Sequence, residues 1–522
     1  MRKFNSTYFK LLFVSLFISL AFSCSNPSSP SDDGSYEEAK NVLRKLGDKV
    51  KIDSTGKDYK GSSVVYFYFT QPVDHNDDSQ GTFEQYCVLH YKGKNHISML
   101  QTNGYSIPEK KDYFIEDIGY IFDANYIEVE HRYYKHSDIG LPEPYTGEYW
   151  KYNTAAQATA DLHDIVTALK GTGDFGEKWI STGLSKDGIL TAMYAYKYPN
   201  EMDVYVPFGA PFITGQEEPE IGKYLAETCG SQKPDEKEDT TVNMYAWTAL
   251  TEYLATPKAQ EVVYEYARKV DKGKYYDADY TRQAMTYNYV NNLFQKYAYR
   301  RWDFWSRFIP LYSNFNNNEE VYAEVFYVFS TTDADNFDKN IEILEKLVPA
   351  EDDSSQRSLQ ISSRAVSTKT HQSPKKVVDA AYYVQAAMEL GYYLFDWSLV
   401  ENVLTGDDLA RFNEDLVEIK KWNSNTTYND DYNVTFDGGA LMKGFLHFLE
   451  NNASNDKCKM VFIYGENDPW TGAAIPDDAA DDTYIKKFVI PQGIHNSELN
   501  NETYYPKDYR QKIIEAIEGF LY

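Results

Sequence analysis

The spacing of apolar and polar residues changes along the chain. Two early segments, SVVYFYFTQPVDH and FEQYCVLHYKG, follow an alternating pattern bounded by Gly, Asn and Asp, which predicts an antiparallel pair of strands. Further on, short apolar runs alternate with segments of helical period. One of these is TAAQATADLHDIVTALK, in which apolar side chains recur at Ala158, Leu162, Ile165, Val166 and Leu169. This alternation predicts an α/β fold with a mostly parallel sheet covered by helices.

The C-terminal part of the chain resumes this pattern after a long interruption. KMVFIYGENDPW and IKKFVIPQGIH are predicted strands, and KDYRQKIIEAIEGFL is a predicted amphipathic helix. Between Phe212 and Asn455 the patterns are helical instead and are rich in Tyr and Trp. The predicted fold is therefore a sheet domain interrupted by a large helical insertion.

These boundaries define the predicted domains. Residues 36–212 and 456–522 form the sheet domain, and residues 213–455 form a helical cap. Residues 351–376 are polar and without periodicity, so we expect a mobile loop near them.

The first residues have the pattern of an export signal. A basic start precedes an apolar run from Leu11 to Phe22, which is short for a membrane span. The sequence LAFSC that follows resembles the lipobox of bacterial lipoproteins, in which the chain is cut before the cysteine and the cysteine is acylated. We expect residues 1–23 to be a lipoprotein signal peptide and residues 24–35 to be a flexible tether. Cys24 would then anchor the exported protein to a membrane of the cell envelope, on a periplasmic or surface-exposed face, whereas a plain signal peptide cut near Ser23 would release it.

The charge of the chain limits its partners. The net charge is −27, and loss of residues 1–23, which carry three positive and no negative side chains, makes it −30. Such a surface repels nucleic acid and anionic lipid, so we expect no nucleic-acid partner and membrane contact only through the lipid. It could attract a peptide's free amino terminus, although a generally solvated acidic surface is the better explanation of the charge. Cys87, Cys229 and Cys458 have no metal-site spacing and allow at most one disulfide.

Three residues at predicted strand ends could carry acyl-transfer chemistry. STGLSKDG places Ser185 in a nearly complete Gly-x-Ser-x-Gly turn between a strand and a helix. A serine needs a base to remove its proton and an acid to orient that base. Asp468 follows the strand in MVFIYGENDPW and His495 follows the strand in KKFVIPQGIH, which is the Ser, Asp, His order of α/β-hydrolases. His131 is the best alternative base, but it precedes Ser185, which this topology disfavours.

The oxyanion hole requires two backbone N–H donors. One is predicted to be the N–H of Lys186, and the other comes from the TNGY turn, with Gly104 or Tyr105 as candidates. The alternative is that this Asn-Gly pair is only a turn. Asp187 breaks the expected pattern, because a small residue normally stands two positions after the nucleophile. Its carboxylate complements the positive end of the helix dipole, but a negative charge there could slow the reaction or leave the site inactive.

Several blocks of the chain resemble one family of secreted peptidases. FTQPVDHNDDSQGTFEQ, VEHRYYKHS, KWISTGLSKDG and QAAMELGYYLFDW are similar to signature blocks of serine peptidase family 37, the prolyl tri- and tetrapeptidyl aminopeptidases. This family is related to the prolyl carboxypeptidase and dipeptidyl peptidase II group. The resemblance extends from about Tyr66 to His495, and it implies an α/β-hydrolase fold with a helical cap.

The resemblance also implies roles for individual residues. The family's nucleophile, acid and base fall on Ser185, Asp468 and His495. The implied reaction releases short peptides from a free N terminus, often after proline, through an acyl-enzyme. The cap block would line the cleft, with Glu389 binding the substrate ammonium and Tyr392 or Tyr393 contacting a proline ring, although aromatic residues in a helix are often simply core.

The chain departs from the family at two positions. Asp187 replaces a glycine, which bears on the rate. Asn103, a candidate substrate-binding residue, replaces a glutamate, which bears on how the site holds a substrate amine. Two other functions remain open: an esterase with the same triad, and a catalytically impaired lipoprotein that binds peptides or glycans through its tyrosine-rich cap. Serine acyl transfer needs no cofactor, and the scattered histidines do not indicate a zinc site. We expect peptide substrates and make no prediction of oligomeric state.

Overall fold

The computed structural model covers the sheet domain almost completely and parts of the insertion. It describes residues 36–110, 113, 115–141, 145–228, 242–271, 274–275, 277–298, 318–331, 380–391, 397–401, 404–422, 425–496, 499 and 507–522. The predicted signal peptide and tether, the 351–376 loop, Cys24 and Cys229 lie outside these residues.

A nine-stranded sheet forms the centre of the protein. Its strands are β1 (Val50–Lys57), β2 (Ser63–Pro72), β3 (Thr82–His90), β4 (Ser98–Thr102), β5 (Asn125–Val129), β6 (Trp179–Leu184), β7 (Val204–Phe208), β8 (Met460–Gly465) and β9 (Ile485–Ile490). Their order is β1-β2-β3-β5-β4-β6-β7-β8-β9. The pairs from β1 to β5 are antiparallel, and all pairs from β5 through β4 to β9 are parallel. The chain has the α/β-hydrolase fold, as its sequence predicts.

Helices connect the strands and make up most of the described part of the insertion. In the sheet domain they are α1 (Tyr36–Arg44), α2 (Asp117–Ile121), α3 (Gly147–Trp150), α4 (Ala155–Gly171) and α5 (Lys186–Lys197). The insertion contributes α6 (Pro219–Glu227), α7 (Val242–Ala255), α8 (Pro257–Val270), α9 (Ala278–Ala298), α10 (Glu319–Thr331), α11 (Ala380–Gln385, continued by a π-turn over Ala386–Leu390), α12 (Ser398–Glu401), α13 (Gly406–Trp422), α14 (Asn425–Tyr432) and α15 (Ala440–Asn451). The last helix is α16 (Lys507–Leu521). Among the described residues between β7 and β8 there is no strand.

Both faces of the sheet are buried under helices. Along β2, Val65 and Phe67 pack in the same apolar cluster as Leu162 of α4. The alternate residue Tyr66 lies in a second cluster with Ile513 of α16. Successive strand side chains point to opposite faces, so a strand buried on both faces is apolar at nearly every position. This explains why the sequence of the central strands reads as short continuous apolar runs.

One strand of the sheet was not predicted from the sequence. This strand is β1. Its residues alternate between half-buried and exposed positions, so its apolar signal is weak.

Cys87 and Cys458 are buried free thiols. No helix in the described part of the chain is both long and apolar enough to cross a membrane.

Candidate active site

Ser185 occupies a strained turn between β6 and α5. Its backbone has φ 62° and ψ −123°, a conformation that non-glycine residues rarely adopt. Its N–H donates to the Phe208 carbonyl at 2.9 Å. The turn needs glycine on either side: a Cβ at Gly183 would lie 2.5 Å from the Asp187 backbone, and one at Gly188 would lie 2.6 Å from the Phe208 oxygen. Backbone strain of this kind at a strand end is typical of a nucleophile elbow.

Asp468 and His495 form a buried pair after β8 and β9. The Nδ1 atom of His495 lies 2.7 Å from Oδ2 of Asp468, and their side chains are 2% and 0% exposed. The second carboxylate oxygen of Asp468 accepts the Trp470 N–H at 3.0 Å, and the Trp470 ring lies against the imidazole with 4.4 Å between centroids. The carboxylate is therefore fixed on both oxygens, and the imidazole is held by a hydrogen bond and by packing.

The end of β7 brings the imidazole and the serine together. A Cβ at Gly209 would lie 3.1 Å from Nδ1 of His495, so the ring packs directly on the residue that follows β7. The last residue of the same strand, Phe208, holds the Ser185 N–H. Within the described residues the Ser185 hydroxyl has no hydrogen bond. Catalytic hydrogen bonds are often long before substrate binds, so Ser185, Asp468 and His495 form an arrangement that can act as a triad.

The turn after β4 is predicted to supply the second backbone N–H of the oxyanion hole. Both candidate N–H groups are bound to side chains. The Gly104 N–H donates to Oδ1 of Asp187 at 2.6 Å, and the Tyr105 N–H donates to Oδ1 of Asn103 at 2.7 Å. In this conformation both N–H groups are bound within the protein, and their role in the oxyanion hole stays a prediction. Lys186 is the first residue of α5, so its N–H has no partner within the helix and remains available for that role.

Two carboxyl groups, the buried Glu128 and the half-buried Glu116, lie behind this turn, and the sequence did not single them out. Asn103 donates through Nδ2 to Glu128 at 2.7 Å, so the predicted substrate residue Asn103 links the turn to β5. Burial is the main cause that raises the pKa of Glu128 to about 7, and the neighbouring Asp187 adds to it. Burial followed by the charges of Glu128, Asp117 and Asp187 raises the pKa of Glu116 to about 8. Adding negative charge to this region is therefore unfavourable.

The Lys186 side chain lies among tyrosine rings. Its Nζ atom is 5.3 Å from the centroid of Tyr105, 5.2 Å from that of Tyr134 and 5.5 Å from that of Tyr382. Burial lowers the pKa of Lys186 to about 7, and the nearby Asp187 and Glu389 partly offset this. Cation–π contacts of this kind stabilise a buried ammonium. Because Tyr382 belongs to α11, the insertion contacts the residue next to Ser185.

Glu389 is buried, so substrate does not reach it freely in this structure. Its Oε1 accepts the Ala155 N–H at 2.5 Å and an amide hydrogen of Gln385 at 2.9 Å, so it caps the N-terminus of α4. Burial raises its pKa to about 7. The capping role was not visible in the sequence, because 234 residues separate the two partners. Tyr392 and Tyr393 lie outside the described residues.

His131 has the environment of a structural residue. Its Nδ1 lies 2.8 Å from the Arg132 carbonyl, and burial lowers its pKa well below the usual range, with the charge of Lys186 as a further cause. The neighbouring Arg132 forms a fully buried bidentate ion pair with Asp161, at 2.8 and 2.7 Å. The geometry therefore favours His495, which has an acid partner, over His131 as the base. No group of three or more metal-ligating side chains occurs in the described part of the chain.

Comparison with known proteins identifies the family. The model of the family described as PS-10 peptidase S37 matches residues 41–305, which is half of the chain. The chain belongs to this family. A prolyl tri/tetrapeptidyl aminopeptidase from Streptomyces mobaraensis is 24% identical over 446 residues, which are 85% of this chain and 77% of the relative. The protein is accordingly a serine peptidase.

Solved structures share much less with the chain. A proline iminopeptidase from Mycobacterium smegmatis is 10% identical, with a TM-score of 0.31 over 87% of this chain and 98% of that one. A 2-hydroxy-6-oxo-6-phenylhexa-2,4-dienoate hydrolase from Rhodococcus is 9% identical, with a TM-score of 0.32 over 87% of this chain and 99% of that one.

Proposed function

We propose that this peptidase releases short peptides, of three or four residues, from the free N terminus of its substrates by an acyl-enzyme mechanism. The observation that carries the proposal is the buried Asp468–His495 pair beside the strained Ser185 turn. The relative from Streptomyces mobaraensis supports the substrate class through its name.

The reaction follows from the arrangement of these three groups. Ser185 Oγ attacks the substrate carbonyl while its proton passes to Nε2 of His495, and Asp468 accepts the Nδ1–H and stabilises the imidazolium. His495 then gives this proton to the leaving amine, and the C–N bond breaks. A water molecule, deprotonated by His495, attacks the acyl-enzyme, and the proton returns to Ser185 as the ester bond breaks. The Lys186 N–H would stabilise the negative oxygen in both tetrahedral intermediates.

Contacts between the insertion and the site support cleavage near a chain end. Tyr382 of α11 reaches the Lys186 ammonium, and the ring of Phe294 in α9 lies 4.3 Å from that of Trp470, which contacts His495. A site approached by helices from two parts of a cap admits a peptide terminus more readily than the middle of a folded chain. The acidic net charge of −27 favours approach of a positively charged N terminus.

We also propose that the protein is an exported lipoprotein anchored through Cys24 to a membrane of the cell envelope. The support is the basic, apolar and LAFSC pattern of its first residues. Metabolic labelling with a clickable fatty acid tests this: the wild-type chain should be labelled and Cys24→Ala should not. Labelling of both proteins, or of neither, would contradict the anchor.

Tripeptide and tetrapeptide p-nitroanilides that end in proline, each with a free and an acetylated N terminus, test the substrate class. The free substrates should be cleaved at least ~10-fold faster than the acetylated ones, the factor that corresponds to about 1.4 kcal/mol of ammonium binding. Equal rates would contradict N-terminal selectivity. Cleavage of p-nitrophenyl acetate but of none of the peptides would favour the esterase function.

A further inference from the structure

The Asp187 side chain is bound to the turn after β4, TNGY (residues 102–105), which is predicted to supply the second oxyanion donor. We call this the oxyanion turn. Its Oδ1 accepts the Gly104 N–H at 2.6 Å, and a Cβ built on Gly104 would lie only 2.9 Å from this same oxygen. The carboxylate is thus in direct contact with the turn after β4. Asp187 is also two residues after Ser185, so the same side chain connects the nucleophile turn to the oxyanion turn.

The backbone of Asp187 is fixed independently of its side chain. Its carbonyl oxygen accepts the Thr102 hydroxyl at 2.7 Å and the Thr191 hydroxyl at 3.0 Å. The turn therefore does not need the carboxylate to keep its position. We expect removal of the carboxylate to leave these two hydrogen bonds in place and to free the Gly104 N–H.

A carboxylate at this position opposes the chemistry in two ways. It occupies an N–H that would otherwise donate to the developing oxyanion, and its negative charge repels that oxyanion. The charges facing it are mixed. Lys186 is a nearby cation, whereas Glu116 and Glu128 are carboxyl groups whose pKa values Asp187 helps to raise. Losing one oxyanion donor typically costs about 10²–10³ in kcat.

We propose that the Asp187 carboxylate is an internal inhibitor of this peptidase, which holds the Gly104 N–H in the resting site and must leave it before acylation. This inference depends on the proposed function, because it concerns the rate at which Ser185 is acylated. With this inhibitor in place the chain is a slow peptidase. A single substitution at Asp187 would then accelerate its chemical step. It also accounts for an intact Asp468–His495 pair beside an oxyanion turn that has no open donor.

The test compares acylation rates in four proteins: the wild type, Asp187→Gly, Asp187→Asn and the control Asp508→Asn. Asp508 is an exposed aspartate in the first turn of α16, so it matches Asp187 in helix position but not in location. Each protein is mixed with a fluorophosphonate, whose P–O group occupies the oxyanion hole, and with a prolyl tripeptide p-nitroanilide. The readouts are the rate of Ser185 labelling and kcat/KM.

Asp187→Gly should be labelled about 10- to 100-fold faster than the wild type, because it regains a donor and loses a repulsive charge. Asp187→Asn should be intermediate, and Asp508→Asn should equal the wild type. A purely structural role of Asp187 would not raise these rates. Equal or slower labelling of folded Asp187→Gly overturns the inference. If thermal unfolding shows that Asp187→Gly is not folded, Asp187→Asn decides in the same way. Absence of Ser185 labelling in all four proteins would instead overturn the proposed function, and the inference with it.

Discussion

The two halves of the site differ in how completely they are prepared for acyl transfer. On the side of β8 and β9, the carboxylate of Asp468 and the imidazole of His495 are buried, hydrogen-bonded and in contact with Trp470. On the side of β4 and β6, the Gly104 N–H is bound to a carboxylate of the protein itself. Both side chains of the predicted acid–base half are fixed by contacts within the protein, whereas the predicted donor of the oxyanion half is already bound.

This difference shows that the parts of a catalytic site can depart from their pattern independently. The acid–base half depends on two side chains that meet after adjacent parallel strands. The oxyanion half depends on backbone N–H groups, whose availability is decided by side chains nearby. One added carboxylate, Asp187, changes the oxyanion half without disturbing the Asp468–His495 pair.

The largest expected effect comes from removing the nucleophile, which both halves serve. Ser185→Ala should lower kcat for peptide hydrolysis by about 10⁴- to 10⁶-fold, because no hydroxyl remains to form the acyl-enzyme. The exposed Ser454→Ala variant is the control and should keep full activity. Retention of more than a tenth of the activity in Ser185→Ala would mean that another residue is acylated.

Breaking the acid–base half alone should have a somewhat smaller effect. Asp468→Asn should lower kcat by about 10⁴-fold, because an amide can donate to Nδ1 of His495 and leave the proton on the wrong nitrogen. Its control is Asp477→Asn, an exposed residue of the following turn. A loss of less than ~10-fold would show that Asp468 does not orient the base.

The smallest effect concerns the buried carboxyl group of Glu128 behind the oxyanion turn. It appears as a pH dependence of the free energy of unfolding. Because the pKa of Glu128 is raised to about 7, the folded state disfavours its charged form. The resulting cost is absent below the usual pKa of a glutamate. It grows as the pH rises towards 7 and is complete above 7, where it amounts to about 3 kcal/mol.

Glu128→Gln should therefore raise the free energy of unfolding more at pH 8 than at pH 5. The exposed Glu518→Gln variant should show no such difference and serves as the control. Denaturant unfolding at both pH values measures the effect. A gain that is equal at the two pH values would show that charge on Glu128 is not the cause.

The sequence predicts the fold and the strand-end positions of the candidate triad because both depend on local patterns. Apolar runs define the central strands, and Ser185, Asp468 and His495 follow β6, β8 and β9 as predicted. Their catalytic roles stay predictions. The family resemblance predicted from the quoted blocks is confirmed by the match over residues 41–305.

The remaining features depend on contacts between distant residues. The sequence marks Asp187 as unusual but cannot reveal its bond to Gly104, from which it is 83 positions away. The same reason hides the capping of α4 by Glu389, and the tyrosines around Lys186, which come from three separate parts of the chain. Periodicity identifies elements, whereas the state of the oxyanion half is set by how those elements pack.

The central claim is that Ser185 is an activated nucleophile served by His495. The most direct measurement is to incubate the full chain with a fluorophosphonate probe and to identify the modified residue by mass spectrometry, with Ser185→Ala in parallel. The account predicts a single modified residue, Ser185, and no labelling of the folded variant. Labelling of a different residue, or no labelling of the folded wild-type protein after prolonged incubation, would contradict it.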